Sequence, residues 1–262
     1  MIREEFPRAV LLGNDQNLGF AKANNQALKI CRGRYVLLLN PDTVVVDCAV
    51  DRMVEIMTER PDVAALGCRL LCSDGTVQRW TGGNSPGLLN VTCHFLFPYR
   101  ALPLGILARP LVLEKEPVRD VEVGWVSGAC MLLRREALGE RIFDERFFLY
   151  GEDLELCDQL VRHGWKVVYT PRVQVIHHGG RATERQTPEV QLARLRNLRE
   201  IFAMRNGRRS LPLFDFLLSV GYLARSLAYG IAACVRPGHG FEARAAACRL
   251  FLSESVHMLV RH

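Results

Sequence analysis

Three short stretches of this chain carry residue types that could do chemistry together. The first is Asn40-Pro41-Asp42, directly after the apolar run 35–39. A carboxylate just past the end of a buried strand lies at the rim of a sheet, where open α/β folds bind ligands. One Asp there can hold a hard divalent cation, with diphosphate oxygens and water completing the shell. The same residues also make an ordinary turn that caps the next helix. The second stretch is Gly151-Glu152-Asp153, opening a helix over 153–163. Adjacent acids at a helix N-terminus are stabilised by its dipole and commonly serve as caps. Here the preceding run Phe143-Asp144-Glu145-Arg146-Phe147-Phe148-Leu149-Tyr150 sets aromatics beside them, and a carboxylate against apolar walls gains the proton affinity that base work needs. The third is His177-His178-Gly179-Gly180, after the apolar run 173–176. Neutral imidazole is a common metal ligand, and glycines let a backbone approach a ligand closely; a His pair at a strand end also occurs for structural reasons alone. A metal carboxylate, a base carboxylate and an imidazole, each at the end of an apolar strand, form a set suited to displacing a nucleoside diphosphate. A cation offsets charge on the leaving diphosphate while the base takes the proton of the attacking hydroxyl.

These residues need a scaffold, and the composition supplies one. The chain has 262 residues, 49% apolar and 24% charged, a length that buries roughly three quarters of its unfolded surface. Collagen, coiled coil and disorder are excluded by this composition. Nine scattered Cys, odd in number and mostly within apolar runs, read as reduced cytosolic thiols rather than a disulfide framework. The run 9–12 followed by Gly13-Asn14-Asp15 signals a strand and a turn. Helical spacing over 20–31 ends near Gly33, 35–39 suits a strand buried on both faces, 50–58 reads as a helix stopped before Pro61, and 63–71 reads as another strand. This alternation predicts an α/β domain with a mainly parallel sheet. Residues 73–119 form a long irregular excursion rich in Gly, Pro and Asn, of the kind that serves as a lid or binding segment. Regularity returns over 121–133, 147–150, 153–163 and 166–169, and 187–206 reads as a charged amphipathic helix.

In order along residues 9 to about 206, six motifs resemble those of family 2 glycosyltransferases, in particular the bacterial rhamnosyltransferase-like branch. They are Asn17-Leu18-Gly19-Phe20-Ala21-Lys22-Ala23-Asn24-Asn25, Leu37-Leu38-Leu39-Asn40-Pro41-Asp42-Thr43, Asp74-Gly75-Thr76-Val77-Gln78, Ser127-Gly128-Ala129-Cys130-Met131-Leu132-Leu133-Arg134-Arg135, the run 143–153, and His177-His178-Gly179-Gly180. The resemblance implies a GT-A fold over 1–206 and an inverting transfer of a sugar from a nucleotide-diphosphate donor to a glycan or lipid-linked hydroxyl in cell-surface polysaccharide synthesis, with Mg²⁺ or Mn²⁺. It puts Asp42 at the metal-binding DXD position, with His177 contacting metal or diphosphate. Asp153 becomes the base, supported by Glu152. Asn17, Gly19, Phe20, Asn25 and Asn40 fall on the nucleotide side with Asp42, and Gly128, Ala129 and Asp144 on the acceptor side. Glu155 and Gln159 depart from the family's Asp and Arg on the helix after Asp153, which implies a tuned contact rather than a lost reaction. Rhamnose as the sugar rests on the branch resemblance alone.

Family members normally open with a strand, a helix and a second strand before the element matched here at 9–12. The sequence therefore leads to the expectation that roughly fifty residues are missing in front, from usual strand-helix-strand lengths. Loss of those partners is expected to leave 9–12 without a ladder and 35–39 with an exposed apolar edge. At the other end, residues from 205 onward hold eight Arg against three acids in a strongly apolar background, which points to an anionic membrane surface and not to nucleic acid. The run 211–235 is long enough to span a bilayer, but Asp215 and Arg225 favour an interfacial helical hairpin over 207–262, with helices closing over the catalytic domain as the alternative. The expected location is the cytoplasm, at the inner face of the plasma membrane. Two other readings fit the same residues: a metal-dependent nucleotidyltransferase or hydrolase built on Asp42, Asp153 and His177, and a catalytically inactive fragment.

Overall fold

Residues 1–96, 111–113, 115–148, 150–179 and 187–260 are described by the computed structural model. After a four-residue helical turn, α1 (Ile2–Glu5), the chain runs through α2 (Phe20–Leu28), β1 (Tyr35–Leu39), β2 (Thr43–Val45), α3 (Ala49–Glu59) and β3 (Val63–Leu71). The excursion holds β4 (Gly82–Gly83) and α4 (Leu88–Leu96); β5 (Val121–Val123) and β6 (Trp125–Val126) follow it, and β7 (Cys130–Arg134), α5 (Glu152–Arg162) and β8 (Lys166–His177) complete the fold's sheets. Three helices follow: α6 (Pro188–Asn206), α7 (Leu211–Val235) and α8 (Phe241–Val260).

The α/β expectation holds, but the sheet is mixed rather than mainly parallel. Its order is β1-β7-β3-β8-β2, with β5 also on β8, and the single parallel ladder in it is β3 with β8. β1, β3 and β8 all run one way, and β7, β2 and β5 run the other way. β2 and β7 are entered from short connections after β1 and β6, and a parallel return needs a crossover of a dozen or more residues. Alternate side chains of the central strands feed two cores. Ala65, Met131, Leu133 and Val167 meet Leu28 of α2 and Leu156 and Leu160 of α5; Leu66, Leu132 and Val168 meet Met53, Ile56 and Met57 of α3. The fully buried Arg134 ties β7 to α3, donating to the carbonyls of Met57 and Arg60 at the end of that helix and of Val63, where a cation also complements the dipole.

Residues 9–12 are not a strand. Val10, Leu11 and Leu12 lie exposed, with Val10 and Leu12 lining a groove beside Ala23, Ala27 and Ile30 of α2 and its end. An extended segment gains strand geometry only from a ladder partner, and 9–12 has none among the described residues. β1 is an edge strand, paired on its β7 side, with Leu39 exposed.

The two charges of α7 turn inward. Asp215 is fully buried on α7 and accepts three hydrogen bonds at 2.8–3.1 Å from Arg199 of α6. Arg225 donates to the carbonyls of Phe95 and His94 at the end of α4, at 2.9 and 2.6 Å. Removing one partner of such a buried pair costs about 3–5 kcal/mol, so both charges commit one face of α7 to the protein. Phe214 and Leu218 on that face join Val91, Phe95, Leu195 and Phe202 in a third core. The opposite face exposes Leu213, Phe216, Val220, Leu223, Leu227 and Ile231, spaced three or four residues apart as one helical stripe.

Candidate active site

The chain brings two polar clusters to one rim of the sheet. The first forms where β1 ends. The Asn40-Pro41-Asp42 turn is closed by the Thr43 amide and hydroxyl, both donating to the Asn40 carbonyl, and β2 then pairs Thr43 with His177 at the end of β8. Asp42 Oδ1 lies 3.3 Å from His177 Nε2, the Asn40 amide is 3.4 Å from the same nitrogen, and the His178 amide donates to the Asp42 carbonyl. Gln78 clasps His177 from the other side: its Nε2 donates to the His177 carbonyl at 2.7 Å and its Oε1 accepts from the ring Nδ1 at 2.9 Å. With the proton on Nδ1, Nε2 carries a lone pair aimed at the Asp42 carboxylate. Two electron-rich atoms at that separation call for a cation or a second proton between them.

The second cluster opens α5. Tyr150 and Gly151 both take positive φ, +65° and +96°, a sharp turn that only glycine adopts without strain. Helix α6 braces it. Asn197 donates to the Tyr150 carbonyl at 2.6 Å, Arg194 stacks 3.8 Å over the Tyr150 ring, and Asn197 and Ile201 pack where a Gly151 side chain would stand. Out of this turn comes Asp153, half-buried, with Oδ2 accepting from the Gly128 amide at 3.2 Å and Oδ1 from its neighbour Leu154 at 2.8 Å. Glu152 is buried, and its Oε2 has no partner among the described residues. Burial raises both carboxyls, and the neighbouring Asp153 raises that of Glu152 further. Asp153 is restrained by its two backbone donors and by the Arg194 guanidinium, whereas Glu152, desolvated and beside Asp153, is pushed up to about 8 in spite of a hydrogen bond from its own backbone. Both carboxyls therefore hold a proton more tightly than an exposed acid does, and Asp153 is the one gripped by backbone donors.

The two clusters are joined through consecutive residues. The Gly128 amide binds Asp153, and the Ala129 carbonyl accepts from the Asn40 amide at 2.9 Å. Asp153, Asn40, Asp42 and His177 therefore lie along one hydrogen-bonded path. The ring of Phe20 and the Cβ of Asp153 flank Gly128, which sets the 17–20 loop beside Asp153. Gly19, at φ +80°, has the Phe148 ring where a side chain would stand, and Asn17 Oδ1 accepts from the Gly19 amide at 2.9 Å.

Three residues expected to face a ligand do not. Asn25 is buried with its amide spent on the Ile142 and Phe143 amides, the Phe143 carbonyl and Glu145, so it fastens the 142–145 strap to α2 and has nothing to offer a nucleotide. Asp144 is buried and chelated by Arg146 at 2.7–3.2 Å, which lowers its carboxyl below the usual range and occupies the oxygens an acceptor would need. Ala129 lies in the core under β7 and contributes its backbone alone. Glu155 is buried, and desolvation, then Asp144, raises its carboxyl. Leu149 and Gly180 of the motifs lie outside the described residues. Sequence reasoning left Gln78 without a role and passed over Arg194 altogether. The Asp74-Gly75-Thr76 turn was a usable signal for the first; the second sits forty residues beyond the turn it braces, and no local spacing marks it.

Comparison with known proteins gives a family model described as Glycosyltransferase like family 2, matching residues 1–203. An N-acetylglucosaminyl-diphospho-decaprenol L-rhamnosyltransferase of Mycobacterium tuberculosis is 30% identical over 195 residues, 70% of this chain and 62% of its own length. The O-antigen biosynthesis protein RfbC of Myxococcus xanthus is 38% identical over 178 residues, 66% of this chain and 13% of its own. The rhamnosyltransferase WbbL of Escherichia coli is 24% identical, with 61% of each chain covered. The chain thus spans less than two thirds of the length of these relatives.

Glu152 gives the site a pH signature. The folded chain keeps a proton on this carboxyl that the unfolded chain, with an ordinary value of 4.5, has already released, so this group's contribution to stability falls as pH rises from about 4.5 towards 8 and is level outside that window. Glu152→Gln removes the fall. Its stability in urea at pH 8 is expected to exceed that of the wild type by at least about 1.4 kcal/mol, the worth of one pH unit, with no gain at pH 4.5; equal gains at both pH values would contradict the assignment.

Proposed function

Because the chain belongs to the family 2 glycosyltransferases, we propose that it transfers a sugar, with rhamnose the leading candidate, from a nucleotide-diphosphate donor to a glycan or lipid-linked hydroxyl in cell-surface polysaccharide synthesis. The observation that carries this reading is the hydrogen-bonded path from Asp153 through Gly128, Ala129 and Asn40 to Asp42 and His177. It sets a base within the same rim as a diphosphate-side cluster, which displacement of a nucleoside diphosphate requires. The relatives named as rhamnosyltransferases support the choice of sugar.

Asp153 is the base. Its carboxylate, aimed by the Gly128 and Leu154 amides, takes the acceptor hydroxyl's proton as the oxygen bonds to the anomeric carbon and the bond from that carbon to the diphosphate oxygen breaks, with inversion. Desolvation raises the proton affinity of the Asp153 carboxyl, which suits it to accept one. The converging Nε2 of His177 and Oδ1 of Asp42 fit Mg²⁺ or Mn²⁺. No group of three or more His, Cys, Asp or Glu ligands exists among the described residues, so diphosphate and water oxygens would fill the remaining positions. Bound there, the ion supplies charge neutralisation for the leaving diphosphate.

Residues 207–262 are read as the membrane-associated part, lying in the headgroup region of the inner face of the plasma membrane, a reading that the exposed stripe of α7 supports. The inward commitment of Asp215 and Arg225 supports an interfacial helix over a spanning one, and Arg208, Arg209, Arg236, Arg244 and Arg249 meet anionic lipid.

Two measurements check this function. In a donor and acceptor screen, Asp153→Asn is expected to bind donor as the wild type does and to lose transfer by about 10²–10⁴-fold. Sugar nucleotide consumption that needs no acceptor would point instead to a hydrolase. In flotation with anionic vesicles, replacing Leu223, Leu227 and Ile231 together by Gln is expected to abolish binding that the wild type shows. Equal flotation of both would remove the membrane from the account.

A further inference from the structure

We propose that Gln78 is the positioning residue that sets the ring of His177 and thereby the cation affinity of the Asp42–His177 pair, an inference that rests on reading this pair as a metal and diphosphate site. The Asp74-Gly75-Thr76-Val77-Gln78 motif supplies the means. Asp74 Oδ1 accepts from the Thr76 amide and hydroxyl at 2.9 and 2.6 Å, and Gly75 takes φ +81°, a left-handed position natural to glycine in a tight turn. The Gly75 amide donates to the Cys72 carbonyl and the Cys72 amide to the Thr76 carbonyl. The chain therefore reverses at the end of β3, Leu71 bridges Val77, and the Gln78 amide donates back to Leu70. Since β3 runs parallel to β8 with Leu71 opposite Ile176, this hairpin delivers Gln78 to His177.

The amide then leaves the imidazole one arrangement. Gln78 spends its N–H on the His177 carbonyl, so its oxygen can only accept from Nδ1–H. The Nε2 lone pair is left facing Asp42. The opposite tautomer would point an N–H at the cation position and remove a ligand. A hydrogen-bond partner on the far nitrogen is how ligating imidazoles are held in tautomer and orientation, and losing it typically costs 10–100-fold in metal affinity. Ser73, in the same hairpin, lies 2.8 Å from Nδ1 of His178, so one turn holds both rings.

The test uses the full chain labelled with ¹⁵N-histidine, with long-range proton–nitrogen correlation spectra at pH 8 in the absence of metal and Mn²⁺ titrations with nucleoside diphosphate present. In the wild type, His177 is expected to show a protonated Nδ1 and an unprotonated Nε2. Gln78→Met, which keeps the volume and loses both hydrogen bonds, is expected to lose that single tautomer and to bind Mn²⁺ at least about tenfold more weakly. Gln78→Glu, which keeps an acceptor for Nδ1–H, is expected to recover most of the affinity, and melting curves identify a variant that has lost its fold. A protonated Nε2 in the wild type, or a folded Gln78→Met that binds Mn²⁺ as tightly as the wild type, overturns the role of Gln78 and leaves the metal reading standing. A folded wild type that binds no Mn²⁺ overturns both.

Discussion

The arrangement depends on two consecutive peptide groups at the entrance to β7: the Gly128 amide, bound to Asp153, and the Ala129 carbonyl, bound to the Asn40 amide. β7 runs antiparallel between β1 and β3, so its N-terminal end lies at the C-terminal ends of those strands. That is the rim where open α/β sheets bind ligands. In a wholly parallel sheet the residues before β7 would emerge at the opposite rim, and the loop holding Asp153 could not meet the turn holding Asp42. The reversed strand is therefore what makes a single site possible. β8, parallel to β3, carries His177 to the same rim, and β2 folds back to pair with it.

A second dependence runs through α6. Arg194, Asn197 and Ile201 brace the Tyr150-Gly151 turn, while Arg199 of the same helix holds the buried Asp215 of α7. One helix thus fixes both the base and the C-terminal pair. The proposed membrane-facing stripe and Asp153 are connected by rigid packing rather than by a linker. The charges that made α7 a poor membrane span in sequence are the ones that fasten it to the protein. They lie on the face that also buries Phe214 and Leu218 in the third core, so α7 carries apolar side chains on both its buried and its exposed face, unlike an ordinary surface helix with one apolar face.

The sequence made the positions at strand ends legible because they follow from local rules: Asp42 after an apolar run, Asp153 after an aromatic run and a glycine, His177 ahead of a glycine pair. What it concealed was set by long-range contacts. Asn25 and Asp144 sit in motifs that read as ligand-facing, yet each is consumed by a partner, the 142–145 strap for one and Arg146 for the other. Strand direction was hidden too, since helix-strand alternation says nothing of strands entered from irregular loops, and β7, β2 and β5 are all of that kind. Residues 9–12 carried a strand's composition without a strand's partner among the described residues, and Arg134, at the end of an apolar run, gave no hint that it would be buried against the carbonyls of α3.

The central claim is that the Asp42–His177 cluster and Asp153 serve one bound donor. A crystal structure of the full chain with a nucleoside diphosphate and Mn²⁺ tests it most directly. The account predicts the diphosphate beside Asp42, Asn40 and His177, with its terminal phosphate directed toward Asp153 across Gly128. A diphosphate seated elsewhere, for instance along the groove between Val10, Leu12 and α2, with the rim at Asp42 left open, would contradict it.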